Sequence, residues 1–141
     1  MRAALSPLAE KMVKSIAMAT DPNGWALPWQ CMSLAIFEYR RGNYAGAVDW
    51  GNRCLSFNQD FPKERVACAQ AILAMSYHQV GQTEQARSAL AKSRQLVEER
   101  WKTPFTVYED SRSWWYDWFL ARFLEREAAA TIEPTAPATK K

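Results

Sequence analysis

The sequence has few of the residues that mark membrane, disulfide-rich or phosphate-binding proteins. No apolar run approaches the roughly 18 uninterrupted residues that a membrane helix needs, because a charged or polar residue interrupts every hydrophobic stretch. Three cysteines form an odd set without a C-x-x-C spacing, which argues against a disulfide framework or a zinc cage. The five glycines are dispersed, so there is no phosphate-binding loop. The 141 residues predict a single domain. The cysteine usage fits a reducing compartment, and we expect the cytoplasm.

The excess of basic over acidic residues is also small. The 18 basic and 15 acidic residues leave a net charge of +3, which gives little support to nucleic-acid binding. The run from Tyr39 to Tyr44 does combine aromatic and basic residues, the types that stack on bases and contact phosphates. In a turn, such arginines commonly compensate the dipole at the end of a helix. We therefore do not expect nucleic acid as a partner, and we expect neither a membrane nor a small-molecule substrate. Glu10 and Lys11 fall where a signal peptide would need its apolar stretch.

Catalytic residues are equally sparse. The only histidine, His78, has no second histidine at metal-binding spacing. Cys68 lies ten residues earlier on the same predicted helix, about 15 Å away along the axis, so these two cannot form a dyad. A dyad of His78 with Cys31 stays open. The adjacent Glu98 and Glu99 do not form a catalytic acid pair, because neighbouring side chains on a helix point apart. The sequence predicts a non-catalytic protein without a cofactor or a metal site.

An internal repeat is the strongest pattern in the chain. Identical residues recur at a spacing of 39 in two units, about 28–62 and 67–100, and the matched pairs are Leu34-Ala35 with Leu73-Ala74, Gly42 with Gly81, and Ala47 with Ala86. Each unit has an apolar helical pattern, a glycine and a second amphipathic pattern, which predicts a helical hairpin. The segment 66–77 is apolar nearly all round and predicts a central helix.

Further helices are predicted on both sides of the repeats. Apolar residues from Leu8 to Ala17 indicate an N-terminal amphipathic helix, and a Trp-rich helix is expected at about 111–129. The seven tryptophans imply either a dense core or a surface for a partner. We expect Trp114, Trp115 and Trp118 to serve as core and cap. The domain then spans 1–130, followed by a flexible, proline-containing tail at 131–141.

The second unit carries the motif Leu73-Ala74-x-x-Tyr77, then Gly81, then Ala86-x-x-x-Leu90, which resembles the tetratricopeptide repeat. The first unit departs from that pattern at Glu38, where the family usually has Tyr, and at Gly51, where it has a bulky apolar residue. The departure at Gly51 predicts weaker packing between the two helices of this unit. The resemblance implies an all-α fold of repeated helical hairpins. The chain is also similar to the C-terminal tetratricopeptide arrays of bacterial serine/threonine kinases, although it contains no kinase motif.

The resemblance to tetratricopeptide proteins implies a concave groove that binds a peptide with the first helix of each unit. Its expected positions are mostly apolar: Trp29, Met32, Ile36, Tyr39, Arg40, Cys68, Ala71, Met75, His78 and Gln79. Met-rich, aromatic surfaces suit a hydrophobic or amphipathic segment, so we expect a protein-interaction or scaffold module with a protein or peptide partner. The alternative is a structural end-cap or self-associating segment of a longer repeat protein, with a homodimer formed through aromatic surface. The same groove positions could then contact the chain's own terminal helices.

Overall fold

The computed structural model describes residues 2–19, 24–57, 62–105 and 115–134. The described residues form six α-helices and no strand, which confirms the predicted all-α class. The helices are α1 (Arg2–Ala17), α2 (Ala26–Arg40), α3 (Tyr44–Leu55), α4 (Lys63–Gln79), α5 (Thr83–Trp101) and α6 (Trp115–Ile132). None of them is both long and apolar enough to cross a membrane.

Two turns join α2 to α3 and α4 to α5 in the same way. Gly42 and Gly81 have φ angles of 87° and 81°, a left-handed conformation that glycine adopts without a steric penalty. In both turns the residue after the glycine donates its backbone N–H to a carbonyl of the preceding helix, from Asn43 to Glu38 at 2.9 Å and from Gln82 to Tyr77 at 2.8 Å. This is the hydrogen-bond pattern of a glycine-ended helix. The spaced glycines therefore end the first helix of each pair, as predicted.

Glu38 fixes the first of these turns. Its Oε2 accepts hydrogen bonds from Arg41 Nε at 2.8 Å and from Asn43 Nδ2 at 2.6 Å. Asn43 in turn caps α3, because its Oδ1 accepts the backbone N–H of Gly46. The carboxylate that departs from the repeat pattern thus has a local structural use.

The central position of α4 is confirmed. It packs against α2, α3, α5 and α6, and every residue from Glu64 to Ser76 is buried. Small side chains allow the close approach of helices on several sides. Ser93 of α5 approaches closely enough for its hydroxyl to donate a 2.9 Å hydrogen bond to the carbonyl of Ala67. Contacts with α4 therefore hold most of the domain together.

Gly51 of α3 packs against α4, the first helix of the second unit. A Cβ atom at Gly51 would lie 2.7 Å from Leu73 Cγ, which is closer than real carbon atoms approach. The missing side chain therefore leaves no gap between α3 and α4, since the isobutyl group of Leu73 fills the space. The glycine thus permits close packing between the two units, and the weaker packing expected between α2 and α3 stays a prediction.

The C-terminal helix is longer than expected. It continues to Ile132, so Thr131 and Ile132 are helical although the sequence suggested the start of a flexible tail there. Glu133 then accepts a 2.9 Å hydrogen bond from Arg94 of α5. The expected start of this helix, including Trp114, and the last part of the predicted tail lie outside the described residues.

Candidate functional site

The sixth helix packs against α4 and α5, and it covers the side of α4 that was expected to line the groove. Near the start of α6, the carbonyl of Asp117 is 3.8 Å from the sulfur of Cys68 on α4. Farther along, both carboxylate oxygens of Glu127 bind the guanidinium of Arg40 at the end of α2. These two contacts place α6 along α4 with its C-terminal half reaching α2. The chain's own helix thus occupies much of the expected peptide site.

The deepest groove positions are inaccessible as a consequence. Ala71 and Met75 have no exposed surface, Cys68 has none either, and Met32 retains 6%. All four belong to one hydrophobic core cluster that also contains residues of α6. Cys68 contacts α6, and Ala71 and Met75 lie on the same side of α4, so a peptide could reach these three only after α6 had moved. In this structure they act as core residues and not as a ligand-binding surface.

The remaining groove positions do not form a continuous open face. Trp29, Ile36 and Tyr39 are half-buried and pack against the core, and burial raises the pKa of the Tyr39 hydroxyl. His78 and Gln79 are exposed at the end of α4. The side chains of Tyr39 and Gln79 lie close enough to interact, next to the ion pair of Arg40 with Glu127. Polar groups thus accompany the apolar ones at the C-terminal ends of α2 and α4.

Arginine–carboxylate pairs hold α6 against α5. Glu125 of α6 is 4% exposed, and its carboxylate lies 3.2 Å from Arg94 Nε and 3.7 Å from Arg122 Nη1. Arg122 also donates to Glu98 of α5 at 2.5 Å, and this guanidinium lowers the pKa of the Glu98 carboxyl. Charge-assisted hydrogen bonds of this kind fix orientation as well as adding stability. The rotation of α6 about its axis is therefore well defined.

That rotation leaves five large apolar side chains of α6 exposed to solvent. The side facing the protein carries Ala121, Leu124 and Ala128, which are essentially fully buried. The opposite side carries the outer aromatic face, which consists of Trp115 (37% exposed), Tyr116 (61%), Phe119 (53%), Leu120 (36%) and Phe123 (65%). An amphipathic helix ordinarily places its bulky apolar residues inward. The outer aromatic face is thus an apolar surface without a covering partner among the described residues.

Neighbouring rings hold this face in place. The ring of Phe119 lies 5.8 Å from that of Trp101, 5.8 Å from that of Phe105 and 5.7 Å from that of Trp115. The guanidinium of Arg100 covers Phe105 at 3.7 Å. Edge-to-face and stacked contacts at these distances are favourable. The aromatic surface is therefore ordered before any partner binds, which reduces the entropy lost on association.

The sequence analysis assigned these aromatics differently. Trp118 is half-buried against the core, in keeping with the expected role, whereas Trp115 contributes to the exposed face. Tyr116, Phe119 and Phe123 were not selected at all. Their spacing of three and four residues places them on one side of a helix, which was a usable signal. It could not show which side faced the core, because residues 121, 124 and 128 form a second apolar side.

The thiols and the histidine form no catalytic pair. Cys31, Cys54 and Cys68 are free and buried, and burial raises the pKa of Cys54 to about 12 and also raises those of Cys31 and Cys68. Cys31 lies in the first half of α2, whereas His78 is exposed in the last turn of α4. Such thiols stay protonated and are poor nucleophiles. Within the described residues no group of three or more His, Cys, Asp or Glu is arranged to hold a metal ion.

The basic run between α2 and α3 is neutralised by carboxylates. Arg40 pairs with Glu127 and Arg41 pairs with Glu38. Phosphate contacts in nucleic-acid complexes need guanidinium groups that can reach a ligand. Each of the two guanidinium groups would have to break an ion pair before it could contact a phosphate.

Comparison with known proteins gives no family for this chain. No family model, no curated protein and no solved structure matches it.

Proposed function

We propose that this chain is a non-catalytic protein-interaction module that binds a hydrophobic or amphipathic protein segment through the outer aromatic face of α6. The observation that carries the proposal is the orientation of α6, with alanines inward and four aromatic rings outward. Aromatic residues dominate the energetics of protein interfaces. Burying large exposed rings against a partner would remove apolar surface that water solvates unfavourably.

The scaffold in this proposal is tetratricopeptide-like. Two helical hairpins with matching glycine turns, at residues 42 and 81, support that view. In the family pattern the ligand would occupy the inner faces of α2 and α4, but here α6 covers Ala71 and Met75. In this fold the exposed apolar surface lies on the outer side of α6 instead of on the inner faces of α2 and α4. Binding through α6 requires no rearrangement of the domain.

A quantitative pull-down from lysate tests this function with a single exposed substitution. Phe123→Glu places a charge in the middle of the outer aromatic face, and because Phe123 is 65% exposed the fold should survive. Leu8→Glu is the matched control, since Leu8 is 55% exposed on α1 and the change has the same chemistry. We expect partners retained by wild type and by Leu8→Glu to be lost by Phe123→Glu. Circular dichroism confirms that each variant remains helical.

A third variant separates the outer face from the expected groove. Tyr39→Ala alters the inner cluster without touching the outer aromatic face. Partners that resist Phe123→Glu but are lost with Tyr39→Ala would assign binding to the inner faces of α2 and α4 and contradict the proposal. Equal capture by all four proteins would also contradict it.

A further inference from the structure

The outer aromatic face is large enough to support an interface of its own. A buried aromatic side chain covers roughly 200 Å², so the exposed fractions of its five members leave on the order of 500 Å² of apolar surface on one molecule. Two such faces in contact would bury about 1,000 Å² in total, which is the lower limit for a specific association. A partner that carries the same surface meets this requirement without any further protein.

The face is also complementary to itself in one orientation. Its exposed residues continue to Arg126, so a cation follows the aromatic rings along the same side of α6. When two copies of α6 pair in antiparallel fashion about residue 121, Phe119 meets Phe123 of the second copy, and Tyr116 meets Arg126 of the second copy. A guanidinium against an aromatic ring is a favourable contact. A parallel pair would instead bring the two Arg126 side chains together, where like charges repel.

We infer that the occupant of the outer aromatic face is a second copy of this chain, held in a two-fold symmetric, antiparallel α6–α6 dimer. This inference rests on the proposed function, because it takes the outer aromatic face as the interaction surface and names what binds there. The two-fold axis makes each contact occur twice. Phe119 and Phe123 form the centre of the interface, and the Tyr116–Arg126 contacts flank it.

Light scattering coupled to gel filtration tests the association on the full chain. One molecule has a mass of 16.2 kDa, and we expect twice that mass at high protein concentration with dissociation on dilution. Phe123→Glu should raise the dimer dissociation constant at least tenfold, whereas Leu8→Glu should leave it unchanged. A wild-type monomer at every concentration up to about 100 μM, where even weak specific dimers form, overturns the inference. So does a dimer that persists in Phe123→Glu.

Cysteine cross-linking tests the orientation and leaves the central phenylalanines intact. Two tagged variants, Tyr116→Cys and Arg126→Cys, are oxidised separately and as a mixture. In the antiparallel dimer the mixture should form a disulfide that joins a Tyr116→Cys chain to an Arg126→Cys chain. Each variant alone should form none, because its two cysteines are about 15 Å apart along the helix axes. Disulfides within each variant, without any that join the two variants in the mixture, overturn the antiparallel arrangement. The buried native cysteines supply the unreacted background.

The two proposals fail in different ways. If the chain is monomeric but loses a captured protein in Phe123→Glu, the outer aromatic face binds a different partner and only the dimer is wrong. If the chain dimerises in a manner insensitive to Phe123→Glu and captures nothing through that face, both are wrong.

Discussion

Arg40 of α2 and Glu127 of α6 form a two-point ion pair across 87 residues of sequence. The contact connects the first helical hairpin directly to the C-terminal helix and skips the hairpin between them in the chain. It exists because α6 packs along α4 and its C-terminal half reaches the end of α2. The pair therefore reports whether α6 is docked.

The first prediction concerns this pair. Both side chains are partly exposed, at 48% for Arg40 and 27% for Glu127, so solvent weakens their attraction. We expect a coupling free energy of about 0.5 kcal/mol from a double-mutant cycle of Arg40→Gln and Glu127→Gln. Urea unfolding followed by circular dichroism measures it. A coupling of zero would show that this ion pair does not contribute to the stability of the domain.

Glu125 should matter far more than Glu127. It is almost fully buried between two arginines, and its removal would leave each of them with one exposed carboxylate partner, Glu133 for Arg94 and Glu98 for Arg122. Glu125→Gln should lower the free energy of unfolding by about 2 kcal/mol, because buried hydrogen bonds to charged groups are lost. Glu127→Gln, on the same helix but more exposed, serves as the control with an expected loss below about 1 kcal/mol. Similar losses for the two variants would contradict the buried position of Glu125.

The contact between Gly51 and Leu73 predicts a rescue. Gly51→Ala should lower the free energy of unfolding by about 1 kcal/mol, because the clash with Leu73 outweighs the gain in helix propensity. Leu73→Ala alone should cost about 3 kcal/mol by leaving a cavity. In the double variant the added methyl group enters that cavity, so its loss should be smaller than the sum of the two. Additive losses would mean that the two residues are not in contact.

The Glu98–Arg122 pair predicts a defined pH dependence. Arg122 lowers the pKa of Glu98 in the folded protein from its usual 4.5, so the folded state binds that proton less readily than the unfolded state. The stabilising effect is therefore complete above about pH 4.5 and is lost as the pH falls through the lowered pKa.

The comparison with Glu98→Gln isolates this effect. Burial raises the pKa values of Glu64 and Asp117, so these two carboxyl groups contribute to the pH dependence of stability in the opposite direction. Both groups remain in the variant, so the difference in unfolding free energy between wild type and Glu98→Gln removes their contribution. That difference should favour wild type at pH 7 and shrink below pH 4.5. A difference that is constant from pH 7 to pH 3 would exclude an ion pair at Glu98.

Helix positions were largely accessible from the sequence because they depend on local chemistry. The spacing of apolar residues and the positive-φ glycines at 42 and 81 set the ends of α2 and α4. An all-round apolar pattern likewise identified α4 as the central helix. These features follow from interactions within a few residues along the chain. The end of α6 was missed, since the ion pair of Glu133 with Arg94 of α5 is a long-range contact.

The sequence by itself determined that the protein is helical, that it repeats a hairpin and that it carries aromatic residues which either a core or a partner could bury. Only the tertiary structure decided which of these apolar side chains stay exposed. The sequence predicted Met75 for a binding face and did not select Phe123, yet Met75 has no exposed surface and Phe123 has 65%. The physical reason is that α6 has two apolar sides. Its small side packs closely against alanine-rich α4, and arginine–carboxylate pairs with α5 fix the rotation that leaves the aromatic side in water.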